Sequence, residues 1–576
     1  MTEEYTAVSF APVQGFIEKS RKLRDLYGAS LILSYLSSRI VQEALCLGLD
    51  VISPGLPNVQ KGMPNRILIK GKFERNDVQN ILLKEWQQIL TICRDWIEDN
   101  LGIPKDQYCW SQPEDQKGKY KGEWERWGSH TWEIFWGYGN SEKEAIKKAM
   151  EDLETRKLKR DWVAINWMGE SSSLTGTDAI AWHLLGRKLK EGEDPGRSLT
   201  PEEKKEQKRF YHRLAWVLDD PDTRNYKVRD SIPSDEELEE YFKKDTSGKF
   251  IAPGERLSIP ELVKRLVTLP YLAKKIGMET LDKGFKDIYR EAGYWTGWFM
   301  GDGDKVGDKL IKLVTRTNEH QKQEQDLKRF TELMRNWGKD FQGKKDLFPE
   351  GKGRVIYAGG DDFLGVLYSE ETKKGENPEK IKPIEAFEWL LNLESHWQKL
   401  RQDIIKEELN LDFTFSVGFV WAGHQVPQRD ILQHCREAEK RSKNLGRDRL
   451  TIRVVFNSGQ FVQWTCPWDY LEILTKYRDR DGKTWGENPN WNHIYSDWVQ
   501  LKARHAIRLK ETEKLKVSDY LAIEIFNYYF DDAGKKIRGN SPDKRWKYIA
   551  GDNKSLAVVQ WIDDLIQVGW QLCSNI

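Results

Sequence analysis

The pattern of apolar and polar positions is most informative over residues 354–368, in the stretch RVIYAGGDDFLGVLY, where two apolar runs are separated by glycine and aspartate. Two short β-prone runs, 355–357 and 363–367, flank the tetrapeptide Gly-Gly-Asp-Asp at 359–362. Because glycine and aspartate favour tight turns, this pattern predicts a β-hairpin with an acidic tip. Glycine lets a ligand approach the backbone, and adjacent carboxylates suit hard cations that prefer oxygen ligands. The same residues are also typical of an ordinary solvated turn.

A second acidic segment, GDGDKVG at 301–307, directly follows an apolar run, WTGWFM, that predicts a buried strand. A calcium-binding EF-hand loop is excluded, because its fifth and twelfth ligand positions would fall on Val306 and Leu313. The alternative is that Asp302 ends a strand and faces the hairpin carboxylates. Nucleotidyl transfer uses such carboxylates from neighbouring strands to hold two Mg²⁺ ions about 4 Å apart.

The order of the predicted elements supports that arrangement. The strand ending at Asp302 is followed by a helical stretch, the hairpin, a helix and a further strand, which is the β-α-β-β-α-β order of ferredoxin-like palms. The predicted segments are strand 295–300, helix 306–341, the hairpin, helix 383–409, strand 413–421, helix 429–444 and strand 450–456. The first strand and the hairpin are neighbours in such a sheet, so Asp302 is expected to meet Asp361 and Asp362.

The N-terminal block repeats this mixed pattern, and we predict an α/β (α+β) fold with two ferredoxin-like palm domains. Its predicted strands are 5–10, 66–70 and 132–136, and its predicted helices begin near Pro12 and cover 78–100 and 141–157. Charged residues dominate 188–208, whereas 262–281 is apolar and helical in pattern. We therefore predict a first palm at 1–157, a helical insert at 158–290, a second palm at 291–456 and a C-terminal helical docking domain at 457–576.

Composition narrows the classes of function. The 576 residues are too many for one core, and the formal net charge of +1 excludes a uniformly basic nucleic-acid coat. The six cysteines contain no C-x-x-C pair, so a zinc ribbon is not expected and a reducing compartment is favoured. No signal peptide or spanning apolar run is found, which predicts a soluble, cytoplasmic protein without a membrane partner.

Four stretches resemble the large, polymerase/cyclase-like subunit of type III CRISPR effector complexes, of the Cmr type. They are FAPVQGFIEKSRKLRDLYGASLILSYL at 10–36, GDGDKVGDKL at 301–310, YAGGDDFL at 357–364 and HCREAEKRSKNLGRDRLTIRV at 434–454. The resemblance spans both α/β blocks. In that family the first stretch is a palm helix, the second and third carry the acidic site, and the fourth is a helix whose lysine reaches nucleotide phosphates.

The resemblance implies roles for particular residues. Asp302, Asp361 and Asp362 are the expected catalytic residues and ligands of Mg²⁺ or Mn²⁺, and Asp304 is a weaker metal candidate that could instead cap the following helix. Gly359 and Gly360 are expected to admit the nucleotide. Lys443 and Arg447 are expected near the triphosphate, and residues from Lys19 to Ser30 near a second ATP. The first block lacks an acidic pair at its matching hairpin, so that ATP is expected to bind there without a metal ligand.

Two departures from the family pattern limit the expected activities. Many members begin with an HD nuclease domain, but no His-Asp dipeptide occurs here and the first palm strand starts within ten residues of Met1, so HD nuclease activity is not expected. Many members also carry zinc-binding cysteines in the insert, whereas residues 166–176 (NWMGESSSLTG) have none, so no zinc is expected.

The function implied is RNA-guided antiviral defence. The subunit would convert ATP, its substrate, to cyclic oligoadenylate second messengers when CRISPR guide RNA pairs with target RNA, within a ribonucleoprotein that contains backbone and small subunits. An adenylyl transferase that joins AMP to another acceptor, such as S-adenosylmethionine, and a catalytically silent scaffold stay open as alternatives. A homodimeric GGDEF-type cyclase is disfavoured, because one chain already holds two palm-like halves.

Overall fold

The structure is a computed structural model, and it describes most of the chain. The exceptions are residues 1–2, 57–61, 112–121, 160–166, 168, 189, 195–196, 220–232, 245–249, 253, 282–284, 345, 350, 371–376, 483, 485–489, 508–516, 531–541, 552–554 and 575–576. Parts of the predicted charged segments 188–208 and 370–380, and of the segment 166–176, therefore lie outside the described residues. The chain forms two compact units, one of residues 1–287 with 311–335 and the other of residues 288–310 with 336–576.

The first unit contains a four-stranded antiparallel sheet with ferredoxin-like topology. Its strands are β1 (Glu3–Ala11), β2 (Asp50–Ser53), β3 (Arg66–Lys70) and β4 (Glu133–Ser141), in the spatial order β2-β3-β1-β4. Its helices are α1 (Gln14–Glu18), α2 (Leu23–Cys46), α3 (Arg75–Asn100), α4 (Glu123–His130) and α5 (Ala145–Leu158). Strand β2 was not predicted, because its four residues are too few to show a clear alternation.

Where it is described, the remainder of the first unit contains four helices, joined by turns and irregular backbone such as residues 169–188. The helices are α6 (Pro201–Asp219), α7 (Asp235–Lys244), α8 (Ile259–Leu266) and α9 (Pro270–Ile276), so the helical pattern predicted over 262–281 is found in α8 and α9. Helix α8 packs so closely on α2 that a Cβ at Gly28 would lie 1.8 Å from the Lys264 carbonyl oxygen. The buried Arg265 guanidinium joins the two helices, since it lies 2.8 Å from Asp25 and 2.6 Å from Glu255.

The second unit contains a six-stranded sheet whose first four strands repeat the ferredoxin-like order. The strands are β5 (Thr296–Gly303), β6 (Arg354–Ala358), β7 (Asp362–Leu367), β8 (Phe415–Ala422), β9 (Arg449–Val455) and β10 (Phe461–Pro467). Their spatial order is β10-β9-β8-β5-β7-β6, in which only β8 and β9 pair in parallel. Every residue of β8 and β9 is buried, and β8 is correspondingly apolar apart from Ser416.

The remaining helices follow β5 along the chain. They are α10 (Val306–Thr315), α11 (His320–Gly343), α12 (Pro383–Leu393), α13 (Ser395–Lys406), α14 (Gln428–Asn444), α15 (Asn492–Ala503), α16 (Val517–Phe530), α17 (Pro542–Ala550) and α18 (Ser555–Cys573). The helical stretches predicted at 306–341 and 383–409 are each divided into two helices. Residues 311–335, which include the ends of α10 and most of α11, belong to the first unit.

The helical pattern predicted from residue 457 onward is wrong for its first part. Residues Phe461–Pro467 form β10, which pairs with β9 and extends the second sheet. Helix α18 packs on this strand, and the Trp561 Nε1–H donates a hydrogen bond to the Thr465 carbonyl at 2.8 Å. The strand was missed because its outer residues are exposed and its tryptophan and cysteine suited a helical core equally well.

The predicted α/β (α+β) class is confirmed by the two mixed units and their sheets. Among the described helices, none is both long enough and apolar enough to cross a membrane. The four domain boundaries given above stay a prediction.

Candidate functional site

Asp302 and Asp362 lie directly opposite each other at the ends of two neighbouring strands. They are register partners in the antiparallel pair of β5 and β7. Opposed residues point to the same face of a sheet with Cβ atoms about 5 Å apart. The backbone N–H of Gly303 donates to the Asp361 carbonyl at 2.9 Å, which ties the hairpin turn to the end of β5. The structure therefore places Asp302 opposite Asp362 and the backbone of Asp361 beside the end of β5, and the catalytic role of the three aspartates stays a prediction.

The hairpin turn needs its glycines for two different reasons. Gly360 has a φ of +108°, which favours glycine, and a Cβ there would meet no atom within 4 Å. Gly359 donates its backbone N–H to the Asp362 carbonyl at 3.1 Å and so closes the turn. On the facing strand, a Cβ at Gly303 would lie 2.7 Å from Val306 and 3.0 Å from the Asp361 Cβ. The turn is crowded beneath and open above Gly360, which leaves space for a ligand at the backbone.

Helix α14 places one cation and one further carboxylate beside the aspartates. The Lys443 ammonium contacts the Asp302 Oδ2 atom, and it lies 2.5 Å from the Glu439 Oε1 atom. The helix is held close to β8 by Gly418, where a Cβ would lie 2.4 Å from the Cys435 carbonyl oxygen and 2.5 Å from the Glu439 nitrogen. Gly418 therefore sets the distance at which Lys443 and Glu439 stand from the strand ends.

The site contains more carboxylates than cationic side chains, and this imbalance affects the pKa values of its residues. Loss of surrounding water, and then the charges of Asp361 and Asp302, raise the pKa of the Asp362 carboxyl well above its usual range. Asp362 is exposed to solvent, so the mutual repulsion of the carboxylates contributes more to this rise in pKa than the loss of water does. Partial burial likewise raises the pKa of Asp302, although Lys443 opposes that change. Burial lowers the pKa of Lys443, but Asp302 and Glu439 more than offset this and leave it raised.

Two residues of the site were not predicted from the sequence. Burial, followed by the charges of Asp362, Asp302 and Glu439, raises the pKa of the Tyr357 phenol well above its ordinary value. Tyr357 pairs with Leu364, two residues beyond Asp362, and so shares the face of the aspartates. Glu439 precedes Lys443 by four residues on α14, and this helical spacing was the available signal for it. For Tyr357, the signal was strand alternation.

Asp304 is not placed as a cap of the helix that follows it. Its buried carboxylate accepts hydrogen bonds from the Ser416 hydroxyl at 2.6 Å, the Thr414 hydroxyl at 2.8 Å and the Asp448 backbone N–H at 3.0 Å. Both carboxylate oxygens are therefore engaged by β8 and by the loop before β9. This arrangement favours a structural role, in which Asp304 fixes the end of β5 against its neighbours.

Arg447 lies in the turn that follows α14. Residues 446–448 all have positive φ values, of +130°, +64° and +50°, and the Arg447 N–H donates to the Ser442 carbonyl at 3.1 Å. Within the described part of the chain, we find no hydrogen bond or ion pair of the Arg447 side chain. This turn places a basic residue one helical turn beyond Lys443, so a phosphate role for Arg447 stays a prediction.

The residues predicted near a second ATP belong to the first unit. Ser30 is half-buried on α2, and its neighbour Gly28 is the point of closest contact with α8. The Lys19 ammonium is paired with the Asp178 carboxylate at 2.7 Å. The buried Asp25 is paired with Arg265. Much of the charge on 19–30 is thus compensated inside the unit, and a nucleotide role for Ser30 stays a prediction.

The donor set of the acidic site fits magnesium bound together with a nucleotide. Among the described residues, no group of three or more His, Cys, Asp or Glu side chains is placed to hold a metal ion by itself. Mg²⁺ is usually held by one or two carboxylates plus substrate phosphates and water, rather than by such a cage. Asp302 and Asp362 on adjacent strands provide that smaller set, and a bound cation would offset the repulsion that raises their pKa values.

Comparisons with known proteins were made at the level of sequence families, sequences and structures. Residues 295–451 match the family model of the second palm domain of Cas10/Cmr2, and residues 5–90 match that of the N-terminal region of the CRISPR-associated protein Cmr2. A sequence comparison with curated proteins found no match.

Similar solved structures include a Csm1–Csm4 cassette in complex with AMPPNP, at 16% identity and a TM-score of 0.41 over 99% of this chain and 69% of that chain. The same cassette with cA4 has 15% identity and a TM-score of 0.41 over 99% and 70% of the two chains. Csm1 of T. onnurineus has 15% identity and a TM-score of 0.42 over 100% and 70%. At these identities and TM-scores, the similarities assign no role to any residue.

Proposed function

We propose that the chain is a Cas10-type subunit of a type III CRISPR effector complex and makes cyclic oligoadenylates from ATP, because residues 295–451 and 5–90 match the Cas10/Cmr2 second palm domain and the Cmr2 N-terminal region. Synthesis starts when the guide RNA of the complex pairs with target RNA. The single observation that carries this proposal is the register of Asp302 opposite Asp362, with the Gly-Gly turn between β6 and β7 beside it. A palm of this kind needs carboxylates at that position to transfer a nucleotidyl group.

The reaction joins one ATP to another. The 3′-oxygen of one ATP forms a bond to the α-phosphorus of the second, the bond from that phosphorus to the bridging oxygen breaks, and pyrophosphate leaves. The proton of the 3′-hydroxyl passes to water at the open side of the site. A divalent cation bound by Asp302 and Asp362, with Asp361 beside them and with phosphate oxygens and water as its other ligands, would lower the pKa of that hydroxyl and offset charge on the transferred phosphate.

The protein's own residues orient the two nucleotides. The left-handed Gly360 and the turn-closing Gly359 leave the backbone open to the base or ribose of the nucleotide. Lys443 and Arg447 supply positive charge on the side of α14, where the triphosphate would lie. Preorganised charges of this kind cost no reorganisation during the reaction, which is why they lower its barrier. In the first palm, residues from Lys19 to Ser30 are the proposed contacts of the second ATP.

The test uses the complete effector complex with guide RNA, target RNA, ATP and Mg²⁺. Changing Asp361 and Asp362 together to Ala should abolish pyrophosphate release while leaving target RNA binding unchanged, because the change removes carboxylates but no RNA-binding charge. Asp412→Ala, an exposed aspartate just before β8, is the matched control and should keep full activity. Continued ATP turnover by the double variant would refute the site assignment.

Mass spectrometry of the products separates this function from its rivals. Cyclic adenylates support the proposal, whereas AMP joined to S-adenosylmethionine or another acceptor would replace it with an adenylyl transferase. Absence of any ATP-derived product from the target-bound complex would instead favour a silent scaffold. Because all three outcomes are read in the same sample, none depends on comparing preparations.

A further inference from the structure

Lys443 occupies the position beside Asp302 that a cation would take. Its ammonium contacts the Asp302 Oδ2 atom and lies 2.5 Å from the Glu439 Oε1 atom, so it bridges a strand-end carboxylate and a helix carboxylate. The side chains of Lys443 and Asp302 are 28% and 32% exposed, which leaves this bridge accessible to solvent and ligands. A bridge that is reachable from solvent can open without unfolding its surroundings.

Glu439 is the fixed end of the bridge. It is only 8% exposed, and its backbone nitrogen would lie 2.5 Å from a Cβ at Gly418, so helix and strand are in close contact at this residue. Lys443, by contrast, carries its charge on a flexible four-carbon stem with three donors. When the bridge opens, the ammonium moves and Glu439 stays.

The proposed function gives the same ammonium a second position, at the phosphates of ATP. One ammonium could contact Asp302 and the phosphates at the same time only if the phosphates lay against Asp302 and Glu439. The negative charges of those carboxylates would repel the phosphates from that place. The contact of Lys443 with Asp302 therefore competes with binding of a divalent cation to Asp302. Phosphate oxygens that draw Lys443 away from Asp302 end this competition.

We propose that Glu439 is a positioning residue that holds Lys443 on Asp302 in the nucleotide-free protein, so that Lys443 acts as a built-in counter-ion. Metal and nucleotide then bind cooperatively, because each favours the state in which Lys443 has left Asp302. By linkage, the nucleotide strengthens metal binding by the same factor as the metal strengthens nucleotide binding. The inference rests on the proposed function for its nucleotide, but its measurement does not depend on turnover.

The first measurement is the affinity of the full-length protein for Mn²⁺ in the absence of nucleotide. The concentration of free Mn²⁺ is read from its electron paramagnetic resonance signal. Lys443→Met should bind Mn²⁺ more tightly than the wild type, by about tenfold, which is within the usual range for coupled sites. Lys440→Met, an exposed lysine on the same helix, is the matched control for the change in net charge and should differ little from the wild type. Equal or weaker Mn²⁺ binding by Lys443→Met than by Lys440→Met would overturn the inference.

The second measurement is the coupling between Mn²⁺ and a non-hydrolysable ATP analogue. The factor by which the analogue strengthens Mn²⁺ binding should be about tenfold larger in the wild type than in Lys443→Met, since the variant has no ammonium to move. Glu439→Gln should reduce the coupling while it retains Lys443, a result that a purely structural role of Glu439 would not give. Undiminished coupling in both variants would refute the role of Glu439 and Lys443.

Failure of the inference and failure of the proposed function are distinguishable. If the complex makes no adenylate product but the coupling behaves as expected, the counter-ion role stands and the function falls. If cyclic adenylates form and Lys443→Met leaves Mn²⁺ binding unchanged, the function stands and the counter-ion role falls. Should Lys443→Met not fold, Lys443→Gln removes the same charge with a more polar side chain and is measured in its place.

Discussion

The two palms share one topology but carry opposite charges at the corresponding strand ends. In the second palm, β5 and β7 bring Asp302 opposite Asp362. In the first palm, the corresponding strands β1 and β3 bring Ser9 opposite Arg66, which is likewise the first residue of its strand. The carboxylate pair of one sheet is thus replaced by a hydroxyl and a guanidinium in the other.

The helix side chain that contacts each strand-end pair also differs in charge between the two palms. On α14 of the second palm, Lys443 reaches a strand-end aspartate. On α5 of the first palm, Glu154 reaches the strand-end Arg66 at 3.2 Å. Both helices pack on their strand at glycine, since a Cβ at Gly139 of β4 would lie 2.0 Å from the Ala145 carbonyl oxygen, much as at Gly418. The scaffold is therefore common to both palms, and of these two pairs of strand ends the second alone carries a carboxylate pair, which is why we propose metal binding there.

The largest effect should follow from neutralising one strand-end residue in each palm. Asp302→Asn is expected to lower the rate of adenylate synthesis a hundredfold or more, since removal of one preorganised group that stabilises developing charge costs about 10²–10³ in rate. Arg66→Gln, its counterpart in the first palm, should keep the rate within a few-fold. The initial rates of product formation from labelled ATP measure both.

Target RNA binding by both variants is the control for assembly of the complex. Equal losses of rate in Asp302→Asn and Arg66→Gln would break the comparison, because they would mean that both strand ends take part in the same step. A full rate in Asp302→Asn would remove Asp302 from the site.

A smaller effect should follow from filling the glycine contact in each palm. Gly418→Ala and Gly139→Ala both force a helix away from its strand, and overpacking of this kind costs about 1–3 kcal/mol. Both variants should therefore melt at lower temperature. Only Gly418→Ala should also weaken metal binding and synthesis beyond its loss of stability, because α14 carries Glu439 and Lys443.

Thermal melting and Mn²⁺ binding of the two variants, at a temperature well below both transitions, separate these effects. If Gly139→Ala lowers Mn²⁺ binding as much as Gly418→Ala does, the helix position in the second palm has no special role. If neither variant melts at a lower temperature, the close contacts are relieved by small movements and the helix spacing is not fixed by glycine.

The hairpin and the acidic residues could be predicted from the sequence because their signals are local. Turn residues between β-prone runs define the hairpin, and the strand order then places Asp302 opposite Asp362 without any knowledge of side-chain contacts. The same reasoning gave the βαββαβ core of the second palm, whereas in the first palm strand β2 was missed. Element ends differ by a few residues, as at β4, which was expected at 132–136 and runs over Glu133–Ser141.

Other features depend on contacts between residues far apart in the chain. The hydrogen bonds of Asp304 to Thr414 and Ser416 span more than a hundred residues, so the sequence offered only its local alternatives of metal ligand or helix cap. Strand β10 takes its place from pairing with β9, which its sequence alone did not indicate. The bridge from Lys443 to Asp302 is of the same kind, since it joins residues of a helix and a strand that the chain separates widely.

The smallest expected effect is on stability, and it concerns the proton on Asp362. Loss of water and the charges of Asp361 and Asp302 raise the pKa of Asp362 in the folded protein, whereas an unfolded aspartate titrates near its ordinary value of about 3.9. Between those two pKa values the folded state binds more protons than the unfolded state, so stability falls as the pH rises through that window. Asp362→Asn removes this titration and should therefore raise the melting temperature of the metal-free protein at neutral pH.

That gain should shrink as the pH is lowered towards 4, because the folded wild-type carboxyl is then protonated and neutral, as the Asn side chain is, while the unfolded carboxyl is about half ionised. Added Mg²⁺ should stabilise the wild type and not Asp362→Asn, which loses a carboxylate ligand. Arg66→Gln changes the corresponding place in the first palm, where the guanidinium stays charged throughout this pH range. This variant should show no pH-dependent rise in melting temperature, and Mg²⁺ should stabilise it as it stabilises the wild type. Melting curves of all three proteins from pH 4 to 8 measure these effects. If the stability of the wild type rises with pH more steeply than that of Asp362→Asn, the strand-end carboxylates do not repel each other. The comparison of the two palms depends on that repulsion.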